Sequence, residues 1–169
     1  ELVAKLAPLR ARFAAKPPDL EAGRLLAEVH RKLHRLPDAE ATLRALVAHA
    51  PGDEEALLAL ERVLVQQQDL KGAIAVLEKL ATAQPRTALS TYQRMAQYAA
   101  EAYLDDDAIR YATRAVELSP ADANANQKLG DMHRRRQDIP KAIAEYRQAI
   151  RKNDRLFAVH LDLAELLLS

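Results

Sequence analysis

The chain contains no cysteine and no tryptophan, and only four of its 169 residues are glycine. Without cysteine, a disulfide scaffold, a thiolate zinc site and a cysteine nucleophile are all excluded, and the redox compartment stays open. Aromatic residues make up only 4% of the chain. Because β-rich folds use glycine in turns and aromatic residues in strands, this composition disfavours an all-β fold.

The chain also lacks an excess of charge of one sign and a long apolar run. Its 25 lysine and arginine residues face 24 aspartate and glutamate residues, a formal net charge of +1. Nucleic acids, anionic membrane surfaces and acidic substrates favour proteins with a strong charge imbalance, so none of these partners is predicted. No segment approaches the roughly 20 consecutive apolar residues of a membrane span.

Helix-forming residues dominate what is present. The chain has 34 alanine and 27 leucine residues, both strong helix formers, and 49% of all residues are apolar. Apolar residues recur at helical spacing, as in Leu57, Leu60 and Leu64, followed by Ala73 and Leu77. The sequence therefore predicts an all-α fold built from amphipathic helices.

Three series of residues recur with a period of 34 or 35 positions, and all three place the one longer interval at the same junction. Prolines that open short connectors are Pro17, Pro51, Pro85 and Pro120. Alanines in a second register are Ala39, Ala73, Ala108 and Ala142. Large apolar residues in a third register, most of them followed by a small residue, are Leu26, Leu60, Met95, Leu129 and Leu163.

In order and separation, these residues resemble the tetratricopeptide repeat (TPR) pattern: a large apolar residue followed by glycine or another small residue, an aromatic position, alanine and proline. The clearest copy has Leu129-Gly130, His133, Ala142 and Tyr146. Departures are the missing tryptophan at the start of each repeat, Glu61 at a small-residue position and Asp154 where proline is usual. The resemblance implies a solenoid of antiparallel helix pairs.

The periodicity divides the chain into full and partial repeats. We expect full repeats at 20–53, 54–87, 89–122 and 123–156. We expect residues 1–19 to hold the second helix of a partial repeat and residues 157–169 the first helix of another. Neither end shows a polar cap, so we expect a piece of a longer array whose ends could pair between copies.

Local signals place packing residues and helix starts. Small residues such as Ala27 and Ala108 suit positions where two helices approach closely. Asp38 and Asp138 are expected to cap second helices, with Pro140 in the first turn. We expect the acidic run at 105–107 to cap a helix in the same way rather than to bind calcium, since no calcium-ligand loop is present.

No catalytic constellation or cofactor site is predicted. His30 and His34 have a spacing that can bind a metal ion, but His30 falls in an apolar register and no third ligand is evident, so a core histidine and no metal are expected. Serine is scarce and no glycine-rich phosphate loop exists. We interpret the basic run at 134–136 as a solvated helix face, since exposed stacking aromatics are absent from the pattern.

In the resembled family, the first helix of each repeat lines a concave groove that binds peptides, and that geometry selects the candidate site. The residues it places on the groove wall are Arg24, Glu28, Arg31, Arg62, Gln93, Gln97, Asn124, Gln127, Asp131 and Arg134. The groove is mixed in charge towards its N-terminal half and rich in amides towards its C-terminal half. Amides both donate and accept hydrogen bonds, which suits the backbone of an extended peptide.

These features favour a non-catalytic scaffold that holds a peptide or helix of a partner protein. One subclass of the family grips a chaperone's C-terminal carboxylate through a lysine and an asparagine four residues apart, and no equivalent pair occurs here. Two alternatives stay open: an accessory segment of a larger enzyme or of a secretion or polysaccharide-export component, and a scaffold that self-associates through its terminal helices. The fold alone does not choose among them.

Overall fold

The computed structural model describes residues 1–168 and separates them into two compact units, Glu1–Pro85 and a second that begins at Arg86. All regular secondary structure in the described residues is helical, which confirms the predicted all-α class. None of these helices combines the length and the apolar character that a membrane crossing requires.

The first unit begins with a short 3-10 turn, Val3–Lys5, followed by five helices. Their bounds are α1 Leu6–Phe13, α2 Leu20–Lys32, α3 Leu36–His49, α4 Glu54–Gln66 and α5 Leu70–Ala83. The second unit contains α6 Ala88–Glu101, α7 Asp105–Leu118, α8 Ala123–Arg135, α9 Ile139–Lys152 and α10 Phe157–Leu168. Within each unit, every extensive helix interface joins helices that are consecutive in the chain.

The alanine register lies at the centre of these interfaces. Ala39, Ala73, Ala108 and Ala142 are each 0% exposed, as their predicted packing role requires. A methyl group is small enough to let two helix backbones approach, and a larger side chain at any of these positions would force the axes apart. The abundance of alanine in the composition is thus partly explained by close helix contact.

An aspartate caps the first helix after three of the four prolines. Asp19, Asp53 and Asp122 stand two residues after proline, and one carboxylate oxygen of each accepts a backbone N–H of the first turn of α2, α4 or α8. The fourth junction differs, because a 3-10 turn, Pro85–Thr87, precedes α6 and no side chain caps that helix. This is the junction in which the sequence carries its one extra residue.

The same three carboxylates also bind a side chain of an earlier helix through their second oxygen. Arg12 donates to Asp19 Oδ2 at 2.7 Å, and Arg24 donates to Asp53 Oδ2 at 2.5 Å. Gln93 makes the corresponding, longer contact to Asp122 Oδ2 at 3.5 Å. Each of these three aspartates therefore ties the start of one helix to an earlier helix of the same unit.

Each helix pair turns through a residue in the left-handed region of backbone space. The four residues, which occupy the same position of successive repeats, are His34, Gln68, Tyr103 and Gln137, with φ between 56° and 63°. The residue after each one donates its N–H to a carbonyl five positions back, which closes a Schellman turn at the end of the first helix. Glycine usually occupies this conformation, but none of the described glycines has a positive φ.

The expected caps of the second helices are wrong in detail. Asp138 is the residue before α9, but its side chain makes no capping hydrogen bond and instead pairs with Lys141 at 2.8 Å. Helix α7 is preceded by Leu104, which has no side-chain oxygen, so the acidic run forms the first turn of the helix rather than its cap. Pro37 and Pro140 do lie in the first turns of α3 and α9, as predicted for Pro140.

The position where the family pattern has tryptophan is filled by different means in different repeats. At Gly23, an added Cβ would lie 2.7 Å from the Phe13 ring, so the ring occupies the space that the glycine leaves open. At the equivalent position of α8, buried Asn126 donates to Glu145 at 2.5 Å and accepts from Lys152. In α2 the missing tryptophan is therefore replaced by apolar packing, and in α8 it is replaced by polar contacts between α8 and α9.

Candidate functional site

The predicted groove residues of the first unit lie on α2 and α4, and most are bound to other side chains. Arg24 is half-buried and bridges Asp53, Glu21 at 3.1 Å and Glu55 at 3.3 Å. Its hydrogen bond with Asp53 raises the pKa of the guanidinium further above its usual range. Arg24 therefore holds the start of α4 against α2, and its charge is largely neutralised.

Glu28 and Arg31 pair with each other one turn apart on α2. Two hydrogen bonds of 2.8 Å join the guanidinium to both carboxylate oxygens, and Lys32 lies 3.6 Å from the same carboxylate. The hydrogen bonds from Arg31 lower the pKa of Glu28, so the pair stays ionised at neutral pH. Arg62 on α4 is exposed and, within residues 1–168, its side chain has no intramolecular partner.

The amide residues of the second unit lie on α6 and α8. Gln97 donates to Glu101 at 2.9 Å on the exposed surface of α6. Asn124 is exposed and Gln127 is half-buried, and neither side chain bonds to another of the described residues. Together with Gln93, these amides form what we call the α6–α8 amide face, defined by Gln93, Gln97, Asn124 and Gln127.

Asp131 is half-buried, although the pattern places it on the groove wall. Its Oδ1 accepts the hydroxyl proton of Tyr146 at 2.7 Å, and the Tyr146 side chain is fully buried against Gly130. Burial raises the pKa of Asp131, while the hydrogen bond from Tyr146 lowers it. The residue therefore supports the packing of α8 on α9.

Arg134 is likewise committed to contacts within its unit. It donates to Asp162 at 2.8 Å and to Glu165 at 2.7 Å, both on α10. The two arginines that follow also meet acids: Arg135 pairs with Asp105 at 2.9 Å and Arg136 pairs with Asp106. The acidic and basic runs of the sequence thus bind each other across α7 and α8, a pairing that the sequence analysis did not predict.

The histidines that shared a metal-like spacing are separated by their environments. His30 is 1% exposed, and burial lowers its pKa below the usual range. His133, at the equivalent position of α8, is also buried with a lowered pKa. His34, in contrast, lies in the exposed turn after α2. Among the described residues, no three histidine, aspartate or glutamate side chains are grouped as a metal ion would need.

The geometry sorts the ten predicted residues into two groups. Five charged residues are held by partners within their own unit: Arg24, Glu28, Arg31, Asp131 and Arg134. The other five are the four members of the α6–α8 amide face and the exposed Arg62. Because amides without strong internal partners are ready to exchange water for a ligand's polar groups, the amide face is the better binding candidate.

Comparison with known proteins places the fold. A tetratricopeptide repeat family model matches residues 24–88 and 94–156, which together exceed half of the chain. No curated protein shows a significant match to the sequence.

Several solved structures resemble the chain at low sequence identity. MamA of Desulfovibrio magneticus RS-1 is 19% identical with a TM-score of 0.65, covering 88% of this chain and 84% of its own. TTC0263, a thermophilic TPR protein of Thermus thermophilus, is 20% identical with a TM-score of 0.57, and the match covers 99% of this chain and 91% of TTC0263. YrrB, described as a TPR protein with an unusual peptide-binding site, is 17% identical with a TM-score of 0.64, covering 96% and 82%.

These identities show a shared fold and no more, whereas the family match spans most of the chain. The alanine registers and the Leu129-Gly130 pair lie within the matched ranges. The chain belongs to the tetratricopeptide repeat family, whose fold supports protein–protein interaction scaffolds in general.

Proposed function

We propose that this chain is a non-catalytic scaffold that binds a peptide of a partner protein along the α6–α8 amide face. The observation that carries the proposal is that the side chains of Asn124 and Gln127 are at least partly exposed and bond to none of the described residues. Gln93 and Gln97 make only a long contact and a surface contact. An extended peptide offers alternating N–H and C=O groups that such amides can satisfy.

The proposal includes the repeat boundaries expected from the sequence. Pairs α2/α3, α4/α5, α6/α7 and α8/α9 would be the full repeats 20–53, 54–87, 89–122 and 123–156. The first helix of a repeat then carries the binding residues, while the second helix packs behind it. YrrB, which has the same fold, is described as having a peptide-binding site, and this is consistent with a similar use here.

The test is to remove the four amides together. Peptides selected from a random library on the wild-type protein would be measured against the variant Gln93→Ala, Gln97→Ala, Asn124→Ala and Gln127→Ala. We expect unchanged far-UV circular dichroism and affinity weaker by about tenfold or more, since each lost hydrogen bond contributes roughly 0.5–1.5 kcal/mol. Gln148→Ala, an exposed amide on α9, is the matched control. Equal affinity for the fourfold variant would disprove the site.

A second candidate function is self-association through α10, favoured by the apolar residues that this helix exposes. Phe157, Leu161 and Leu168 are 76%, 74% and 90% exposed, and few monomeric proteins leave such side chains together in water. We expect wild-type protein to show a rising average mass in sedimentation equilibrium between micromolar and millimolar concentration. Leu161→Glu should abolish the rise, and a constant monomer mass for the wild type would rule this function out.

A further inference from the structure

A second surface of the first unit, built from different helices, has the features of a docking groove. We call it the α3–α5 groove, and its volume is about 670 Å³. It lies between the C-terminal halves of α3 and α5, two second helices, with α4 beneath it. The residues that line it include Arg44, Ala48, Leu57, Leu60, Lys79 and Ala83.

The groove has an apolar floor and rims of small residues. Leu57 and Leu60 of α4 lie beneath the floor and are 0% and 2% exposed, so the walls supply the apolar surface that an occupant can reach. Ala48 on one rim and Ala83 on the other are exposed, so short side chains keep the groove open. At the connector, an added Cβ on Gly52 would meet no atom within 4 Å. The end of the groove next to the connector is therefore unobstructed.

The charges along the groove are of one sign. The two ionisable lining residues are Arg44 on α3 and Lys79 on α5, one on each rim, and no acidic residue lines the groove among the described residues. Both are exposed; Arg44 shares a 2.7 Å ion pair with Glu40, and Lys79 has no ion-pair partner within residues 1–168. An occupant that places carboxylates beside its apolar surface would pair with Lys79, the rim cation that has no ion-pair partner among the described residues.

The spacing of the lining residues matches a helix better than an extended strand. On α3 they fall at 44, 47 and 48, and on α5 at 76, 79, 82 and 83, the spacings of one helical stripe on each side. Two such ridges with an apolar valley between them accept a third helix by ridge-and-groove packing. We propose that the α3–α5 groove binds an amphipathic helix of a partner protein with an apolar stripe flanked by acidic residues.

The probe for the test is a synthetic helical peptide of 18 residues with leucine at i, i+3, i+4 and i+7 and glutamate on both flanks. Its twin carries lysine in place of every glutamate. Fluorescence anisotropy with the full chain should show the acidic peptide binding about tenfold more tightly than the basic twin. Binding should weaken as salt rises, because the rim charges are exposed. Equal affinity for the two peptides, or no binding of the acidic one, would overturn the proposal.

Two variants locate the binding on the groove. Ala48→Trp fills the groove from its exposed rim. It should lower the affinity for the acidic peptide by tenfold or more, roughly the effect of losing a central apolar contact. Lys79→Glu reverses one rim charge. It should lower the affinity for the acidic peptide several-fold and make that affinity less dependent on salt concentration. Matched controls are Ala144→Trp and Arg147→Glu, exposed residues of α9 in the second unit.

The controls also separate this groove from the proposed peptide-binding face. The fourfold amide variant should bind the acidic helix with wild-type affinity, since its substitutions all lie in the second unit. Circular dichroism and the urea midpoint of each variant would verify that it folds. If Ala48→Trp and Lys79→Glu fold normally and bind the acidic peptide as the wild type does, the peptide binds elsewhere and the assignment fails.

Discussion

At the scale of single residues, Gly130 is a position where a buried ring occupies the space that a side chain would need. A Cβ there would lie 2.6 Å from the Tyr146 ring, which is itself completely buried. We expect Gly130→Ala to lower the free energy of unfolding by about 1–3 kcal/mol, because the ring cannot move without losing its bond to Asp131. Urea denaturation would measure the change. Gly52→Ala is the control, since its Cβ enters open space, and an equal effect of the two substitutions would contradict the expectation.

The repeat pattern predicted correctly which small residues are buried at helix contacts, but it did not predict the hydrogen-bond partners of nearby side chains. The period of 34 identified Ala39, Ala73 and Gly130 as contact positions, and all are buried. It could not show that Tyr146, placed over Gly130, would bond Asp131 and so withdraw that carboxylate from the groove. A repeat pattern fixes which side chains face a neighbour, whereas hydrogen-bond partners depend on rotamers that the pattern does not encode.

At the scale of helices, the turns inside the repeats contain strained residues, and replacing one of them with glycine should stabilise the fold. His34, Gln68, Tyr103 and Gln137 adopt a left-handed conformation that strains residues with a Cβ. We expect Gln68→Gly to raise the free energy of unfolding by about 0.5–1 kcal/mol, the difference between relieved strain and the added entropy of glycine in the unfolded chain. Thermal and urea unfolding would both measure it.

The neighbouring Gln67 gives a matched control for that substitution. Its φ is −83°, an ordinary conformation for any residue, so Gln67→Gly should lower stability by roughly 0.5–1 kcal/mol. Opposite signs for two adjacent glutamines would assign the effect to backbone conformation. A loss of stability in both variants would show that strain at Gln68 is not relieved by glycine.

Helix starts were only partly predictable for a related reason. The sequence suggested Asp38, Asp138 and the acidic run as caps, whereas the aspartates seen to cap helices among the described residues are Asp19, Asp53, Asp69 and Asp122. An aspartate carboxylate can accept a hydrogen bond from a free backbone N–H at a helix start, or it can form an ion pair with a nearby cation. The local sequence does not reveal which of these two partners it will bind. Asp105 and Asp106 meet Arg135 and Arg136, about 30 residues away in the chain.

At the scale of the whole molecule, the buried histidines predict how stability responds to pH. Burial lowers the pKa of His30 and His133 in the folded state below the value of 6.5 expected when unfolded. In this window the unfolded chain binds more protons, so the free energy of unfolding rises with pH up to about 6.5 and then levels off. From about pH 7 down to about pH 5 we expect the free energy of unfolding to fall by on the order of 1 kcal/mol, as measured by urea denaturation.

Leucine occupies the equivalent position at Leu64, which supplies a variant to check the source of the effect. The double substitution His30→Leu and His133→Leu should flatten stability over the same pH window. The pKa values of Glu28 and Asp138 are lowered by their basic partners, so their contribution is lost only at more acidic pH. A wild-type slope that persists in the double variant would mean that other groups control this range.

The two-oxygen contacts of Asp19, Asp53 and Asp122 have a consequence for cooperativity. One oxygen starts a helix, and the other binds a side chain of an earlier helix in the same unit. In nearest-neighbour models of repeat proteins, the stability of a repeat and the coupling between repeats are separate quantities. Here one carboxylate contributes to both, so fraying of α2 would also remove a partner of the cap that begins α4. Helix initiation and stacking are thereby coupled, and the smallest cooperative element is larger than one helix pair.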